Sequence, residues 1–403
     1  MRSQRIVPPF GSHSPIESLA RFWLTSVRQR TDTRCAVRDA ASMIKAPTPL
    51  PARLPSLTRR RLLLGAIAAI ASGRFGDPVF GDPVQAASAN ATRGVQRAGR
   101  VDGQACVLPF YGINGHVNQG GAYAMPFRQQ RALLEDLGIR TYRNDVWDAR
   151  GARHLAALCD VLDDSGIVVL PCLTALLPSS DSERAAYDTG FSLGRSCATV
   201  LKGRVPVYEC GNELETTIVR GDGDTPQSYD KHRWPAYRGL LRGMVNGVRH
   251  VDPAAKVGVH AGWLHFGALS MLWNGRSPEG LRGDPLRWDV TMYHWYNDMG
   301  DIRDAKGIDV LGTLRSAFGR PVCITEFGFR PDGNEAHQAN YITNEAFSPF
   351  LAVRQRYDIH SAALYELFDM TADNHYGLLD ESGRRKKPAY HALKRFIAKH
   401  PVT

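Results

Sequence analysis

From about residue 106 to its end, the chain alternates short apolar runs with segments of helical period, eight times over. The runs are Phe110 to His116, Ile139 to Asp145, Ile167 to Thr174, Val205 to Cys210, Lys256 to Ala261, Val290 to His294, Val322 to Glu326 and Ala362 to Leu367. The third reads IVVLPCLT, apolar on both faces, as a parallel strand covered on both sides must be. Helical segments lie between them. One starts at Met125-Pro126, with proline in its first turn and Gly138 just past its end. Others span 151–165, ending at Gly166, then 182–202 and 227–250, with a closing helix over 388–400. Eight strands separated by helices over about 300 residues is the count of a (β/α)8 barrel. A doubly wound open sheet is the alternative. It would carry a glycine-rich phosphate turn after its first strand, and no G-x-G-x-x-G occurs in the chain.

A 403-residue chain that is 43% hydrophobic and 22% charged can bury a core of that size. The formal charge of +10 does not describe the barrel region. Residues 1–89 carry 13 Lys and Arg against 5 Asp and Glu, whereas the remainder carries 37 against 35. The expectation is therefore that the folded part binds no nucleic acid, because it has no net basic footprint. The seven cysteines include no C-x-x-C pair. Cys172, Cys210 and Cys323 fall in apolar runs, where a thiol acts as a small buried hydrophobe.

The basic excess belongs to a leader, residues 1–89. Thr58-Arg59-Arg60-Arg61 precedes an apolar core at 62–72, and Ala87-Ser88-Ala89 offers small residues for cleavage. Basic, apolar, then small is the order of an export signal, and the paired arginines resemble the twin-arginine type. The apolar core is too short for a stable membrane span; the competing reading is an anchoring or buried helix. The expectation is export to the periplasm or beyond, with the export machinery as a partner, a linker over 90–107 and the barrel over 108–403.

In a barrel, reactive groups sit where strands end and the following loops begin. The fourth run is followed by Tyr208-Glu209-Cys210-Gly211-Asn212-Glu213, and the seventh ends in Ile324-Thr325-Glu326-Phe327-Gly328. Two carboxylates on separate strand ends of one face are what glycosidic cleavage needs: one as proton donor to the leaving oxygen, one as attacking group or base. Asn212 stands ready to hydrogen-bond a substrate hydroxyl. Tyr293-His294-Trp295-Tyr296 after the sixth strand supplies donors that tune a carboxylate.

These motifs resemble clan A glycoside hydrolases, retaining (β/α)8 enzymes, over about residues 108–400. The pattern Glu-x-x-Asn-Glu matches Glu209 to Glu213, and Thr-Glu-x-Gly matches Thr325 to Gly328. An arginine ending strand two matches Arg143, and His-x-Tyr after strand six matches His294-Trp295-Tyr296. The ending, Tyr376-Gly377-Leu378-Leu379 and Lys387-Pro388-Ala389-Tyr390, is similar too, and within the clan the likeness leans to family 39-like or cellulase-like members. The resemblance implies Glu213 as acid/base, Glu326 as nucleophile, Arg143 and Tyr296 beside the nucleophile, a carbohydrate substrate, and no metal or cofactor. The chain departs from the pattern at strand eight, where Leu364-Tyr365-Glu366-Leu367 has no tryptophan and Tyr365 stands in its place.

Trp147, Trp263 and Trp295 follow strands two, five and six, where aromatic faces either stack on sugars or fill core. His116 and His260, at strands one and five, are weaker candidates for substrate contact. Gly190-Phe191-Ser192-Leu193-Gly194 spells a G-x-S-x-G elbow, but it lies in a helical segment rather than between strand and helix. No strand-end ligand cluster points to a metal-dependent hydrolase. A barrel that binds carbohydrate without cleaving it is the remaining rival, since fold alone does not decide chemistry. Loops 211–230, 263–288 and 295–312 are read as the walls of the cleft.

Overall fold

The computed structural model of the chain describes residues 100–101, 104–105, 107–331, 333–370 and 375–402; the leader, Cys35 and Cys106 lie outside the described residues. Eight parallel strands close into a barrel in sequence order. They are β1 (Tyr111–Gly115), β2 (Thr141–Val146), β3 (Val168–Leu173), β4 (Val207–Cys210), β5 (Lys256–Gly262), β6 (Val290–His294), β7 (Val322–Phe327) and β8 (Ile359–Leu364). The fold is the (β/α)8 barrel expected from the sequence. Ahead of it, Arg100–Val101 pairs antiparallel with Gln104–Ala105. Among the described residues, no helix is long and apolar enough to cross a membrane.

Helices cover the outside: α1 (Phe127–Leu137), α2 (Ala149–Leu162), α3 (Glu183–Leu201), α4 (Trp234–Val251), α5 (Phe266–Asn274), α6 (Val310–Phe318), α7 (Glu335–Asn340), α8 (Ser348–Tyr357) and α9 (Pro388–Lys399). Their ends follow local chemistry. Gly138 closes α1 at φ 82°, a left-handed position that suits glycine. Asp148 caps α2 by accepting from the Gly151 amide at 2.7 Å, and Ser182 caps α3.

Three expectations shift. The fourth helix starts at Trp234 rather than 227, because Asp230 accepts from the amides of His232 and Arg233 and Pro235 then sits in the first turn. The stretch 263–288, read as loop, contains α5, whose apolar FGALSMLW run packs on the barrel and stops at Gly275. Strand β8 begins three residues before Ala362; His360 and Ser361 break the apolar run yet are buried, and His360 Nδ1 accepts the Val107 amide at 3.0 Å.

Inside the barrel, alternation along the strands sets up layers. Leu108, Leu170, Val207, Val290, Met292 and Cys323 form one buried apolar cluster inside the barrel. Two residues further along the same strands come Cys172, Glu209, His294 and Thr325, all buried. The interior thus turns from apolar to polar in one step, toward the ends of the strands where the loops emerge.

Outside, α3 and α4 approach through glycines. A β-carbon on Gly190 would stand 2.1 Å from the Leu240 carbonyl oxygen, and one on Gly243 2.2 Å from that of Tyr187. The G-x-S-x-G string is therefore part of a helix-packing face, with Gly190 and Gly194 both against α4. Alanine is the better helix former by about 1 kcal/mol, yet overpacking against backbone costs about 1–3 kcal/mol. Gly243→Ala is expected to lower the thermal unfolding midpoint by a few degrees or more, about 2–4 °C per kcal/mol; a raised midpoint in calorimetry would show that the helices can separate at little cost.

Candidate active site

One buried cation organises the polar layer. Arg143 on β2 is 2% exposed. Its Nε pairs with Glu209, while Nη1 donates to Glu326 Oε1 at 2.6 Å and to Asn114 Oδ1 at 2.7 Å. Nη2 donates to Asn212 Oδ1 at 2.7 Å. That last bond fixes the Asn212 amide and leaves its NH2 to donate elsewhere. Asn114 in turn donates to the Thr325 carbonyl at 2.9 Å, and the Thr325 hydroxyl donates to Glu209 Oε1 at 2.9 Å. Four strands thereby meet at one guanidinium.

Glu326, at the end of β7, receives Arg143 on one oxygen and the Tyr296 hydroxyl on the other, at 2.6 Å. Both carboxylate oxygens are thereby held in place by donors from β2 and from the loop after β6. Glu213 lies three residues past β4, in a left-handed backbone conformation, φ 49°, that aims its side chain back over the barrel mouth. Burial, then the neighbouring Glu326 carboxylate, holds Glu213 well above the usual carboxylate range. His294 Nδ1 bridges the two, 3.0 Å from Glu213 Oε1 and 3.4 Å from Glu326 Oε2. Burial, His260 and Arg143 hold His294 well below its ordinary value, so the bridge is a neutral imidazole. One atom each of Glu213, His294 and Glu326 lie within 4.8 Å of one another. We read these groups as proton-handling, because Arg143 already gives Glu326 its cationic partner.

The sequence-derived candidates Glu213, Glu326, Asn212, Arg143, His294 and Tyr296 therefore join in one network. Tyr365 and His116 sit at its edge: the Tyr365 ring meets His116 at 5.4 Å and Tyr296 at 6.3 Å. Trp295 is 3% exposed, stacks on Trp263 at 5.6 Å and donates its N–H to the Gly300 carbonyl, so the structure uses it to support a loop. Trp263 and Trp147 are half-buried at the rim.

Sequence reading passed over Asn114, Asp145, Glu215 and Glu366, and quoted Glu209 without assigning it a place in the site. All five are buried. The available signal at Glu209 was a charged side chain inside the otherwise apolar run VYEC; Asp145 lies in the polar strand TYRNDV, where no such contrast marks it. Asp145 accepts from His116 Nδ1 at 2.9 Å, and His116 Nε2 lies 3.3 Å from Glu366 Oε2. Tyr123 donates to the same Glu366 oxygen at 3.0 Å.

No protein-family model and no curated protein sequence matches the chain. Solved structures do. A β-glucosidase from Thermotoga maritima superposes with a TM-score of 0.55 at 13% identity, over 72% of this chain and 97% of that one. The virulence factor SghA from Agrobacterium tumefaciens gives 0.54 at 14% identity, over 71% and 96%. The chain shares the (β/α)8 barrel fold of these structures. At such identities the likeness is one of fold, and the chemistry rests on the residues above.

The His116–Glu366 pair makes a prediction about stability. Burial lifts Glu366 to about 8, against the pull of His116. Burial works against His116, yet the Asp145 charge and hydrogen bond lift it to about 9. Both values stand above those of the unfolded chain, so both groups stabilise the fold at low pH. Glu366 loses that contribution between about 4.5 and 8, and His116 between about 6.5 and 9. In thermal melts run across this range, Glu366→Gln is expected to lose stability with rising pH less steeply than wild type between about pH 4.5 and 8. Melting-temperature profiles that run parallel in the two proteins would contradict the assignment.

Proposed function

We propose that the chain is a retaining O-glycosidase acting on an extracytoplasmic poly- or oligosaccharide. The observation that carries the reading is the pairing of two carboxyl groups in opposite environments at close range. Retaining enzymes place their carboxyls about 5–5.5 Å apart, inverting ones about 6.5–9.5 Å, to leave room for a water. One carboxyl oxygen each of Glu213 and Glu326 lie within 4.8 Å of each other, which supports the retaining reading. The likeness in fold to β-glucosidase structures supports the reaction class, and the strand-end motifs support membership of clan A. The twin-arginine-like leader, outside the described residues, supports export.

The roles follow from the environments. Glu326, its carboxylate held by Arg143 and Tyr296, attacks the anomeric carbon. As that bond forms, the glycosidic C–O bond breaks and Glu213 gives its proton to the leaving oxygen. The glycosyl ester on Glu326 is then opened by water, whose proton goes to Glu213. Tyr296 and Arg143 hold the Glu326 carboxylate in place, and the Asn212 NH2 is placed to donate to a hydroxyl beside the reacting carbon. Since Glu213 must carry its proton for the first step, kcat/KM falls on the alkaline side as Glu213 ionises.

The test is a panel of aryl glycosides and polysaccharides with wild type, Glu326→Ala and Glu213→Ala. Glu326→Ala is expected to lose roughly 10³-fold or more in kcat, of the order lost when a catalytic side chain acting as a unit is removed. Azide should restore turnover, giving product of inverted configuration. Glu213→Ala is expected to lose about 10²–10⁴-fold on substrates with poor leaving groups. Wild type that binds a glycan and cleaves none, with both variants binding equally well, would replace this reading with a carbohydrate-binding barrel.

A further inference from the structure

Directly behind Glu213 lies a second buried acid that the reaction above does not use. Glu215 follows two residues later, in the short helical turn Leu214–Thr217, and is 1% exposed. Its Oε1 accepts the Gly262 amide at 3.1 Å and faces His265 Nδ1 at 3.3 Å. Its Oε2 lies 3.8 Å from His260 Nδ1 and has no hydrogen-bond donor. His260 Nδ1 accepts the backbone N–H of Glu213 at 3.1 Å, and the His260 ring packs on His294 with centroids 3.8 Å apart. The charge of Glu215 also acts on the buried tyrosines Tyr229, Tyr237 and Tyr293.

A buried carboxylate loses its hydration, and here the Gly262 amide and His265 replace it on one oxygen only. We propose that Glu215 is a positioning residue for Glu213: it anchors the turn that carries Glu213 and holds a fixed negative charge behind it that keeps the proton on the Glu213 carboxyl. The inference rests on the acid/base reading of Glu213. The geometry gives the charge a short route, through one imidazole to the Glu213 backbone and through two to its side chain. Burial opposes ionisation of Glu215, but the hydrogen bond from His265 keeps it below its ordinary value, so it remains charged. Glu213 is faced by Glu326 from β7, Glu209 from β4, Arg143 from β2, His260 from β5 and His294 from β6, with Tyr296 beyond β6. After burial and Glu326, Glu215 is the next contributor raising Glu213, and Arg143 is the cation opposing it. Removing one negative charge should therefore let Glu213 ionise at lower pH.

The experiment is a ¹³C titration of the glutamate side-chain carboxyls of the whole protein, with the Glu213 signal identified by its loss in Glu213→Gln. In Glu215→Gln the Glu213 midpoint is expected to fall by about half a pH unit or more. Glu215→Met, which leaves no polar group to satisfy, should give the same fall and serves if the glutamine variant does not fold. Glu215→Asp keeps the charge and should hold the midpoint within about 0.2 of a unit. An unmoved midpoint in a folded neutral variant, or an aspartate variant that shifts as the neutral ones do, overturns the proposal. The titration needs no turnover, so the two readings fail separately. A shifted midpoint in a protein that hydrolyses no glycoside removes the hydrolase reading and keeps the coupling. Hydrolysis with an unmoved midpoint does the reverse. Where both hold, the alkaline limb of kcat/KM moves with the midpoint.

Discussion

Everything in the barrel mouth is arranged around the Arg143 guanidinium. A buried cation is destabilising unless its donors are matched, and here they are met by Glu209, Glu326, Asn114 and Asn212. The partners come from β4, β7, β1 and the turn after β4, so the match can be made only when the barrel is closed. Arginine suits this position because its planar fork donates in several fixed directions at once, which a lysine ammonium does not. The arrangement fixes Glu326 by one oxygen and Asn212 by its carbonyl before any substrate arrives, which is the preorganisation that a charged transition state requires.

The same guanidinium separates the behaviour of two chemically identical side chains. Glu326 sits on it and receives a tyrosine hydroxyl as well. Glu213 has neither contact; its partners are a neutral imidazole and other acids. One carboxyl is thus matched to a cation and a hydroxyl, while the other, without them, is held well above the usual carboxylate range. His294 stays neutral between them because burial, a second histidine and Arg143 all disfavour its charge. A second polar group, His116 with Asp145 and Glu366, adjoins the first: Asp145 shares β2 with Arg143, and the rings of Tyr365 and Tyr296 lie between His116 and Glu326.

The buried apolar cluster of Leu170, Val207, Met292 and their neighbours supports this polar layer from below. Because strands alternate with period two, each apolar residue that plugs the barrel places the next inward side chain in the mouth. Outside, the glycine contacts of α3 and α4 bring those two helices close enough that backbone meets backbone. A string that spells a hydrolase elbow is, in three dimensions, a packing face.

The alternation of apolar runs and helical segments was enough, read along the chain, for the barrel and for the order of its strands, because each run signals locally. The pairs Asn212-Glu213 and Thr325-Glu326, with Arg143 and His294-Trp295-Tyr296, were likewise legible, since their spacing from strand ends is a local property. Errors fell where local signals were mixed: β8, whose buried His360 and Ser361 break an apolar run, and α5, whose apolar face was taken for loop. What only the folded chain decided was electrostatic. Glu209, Glu215, Asp145 and Glu366 look in sequence like other acids. Their burial and partners, drawn from strands far apart in the chain, set which carry charge and which hold a proton. Burial and Coulomb interaction depend on distance through space, and only the closed barrel supplies those distances.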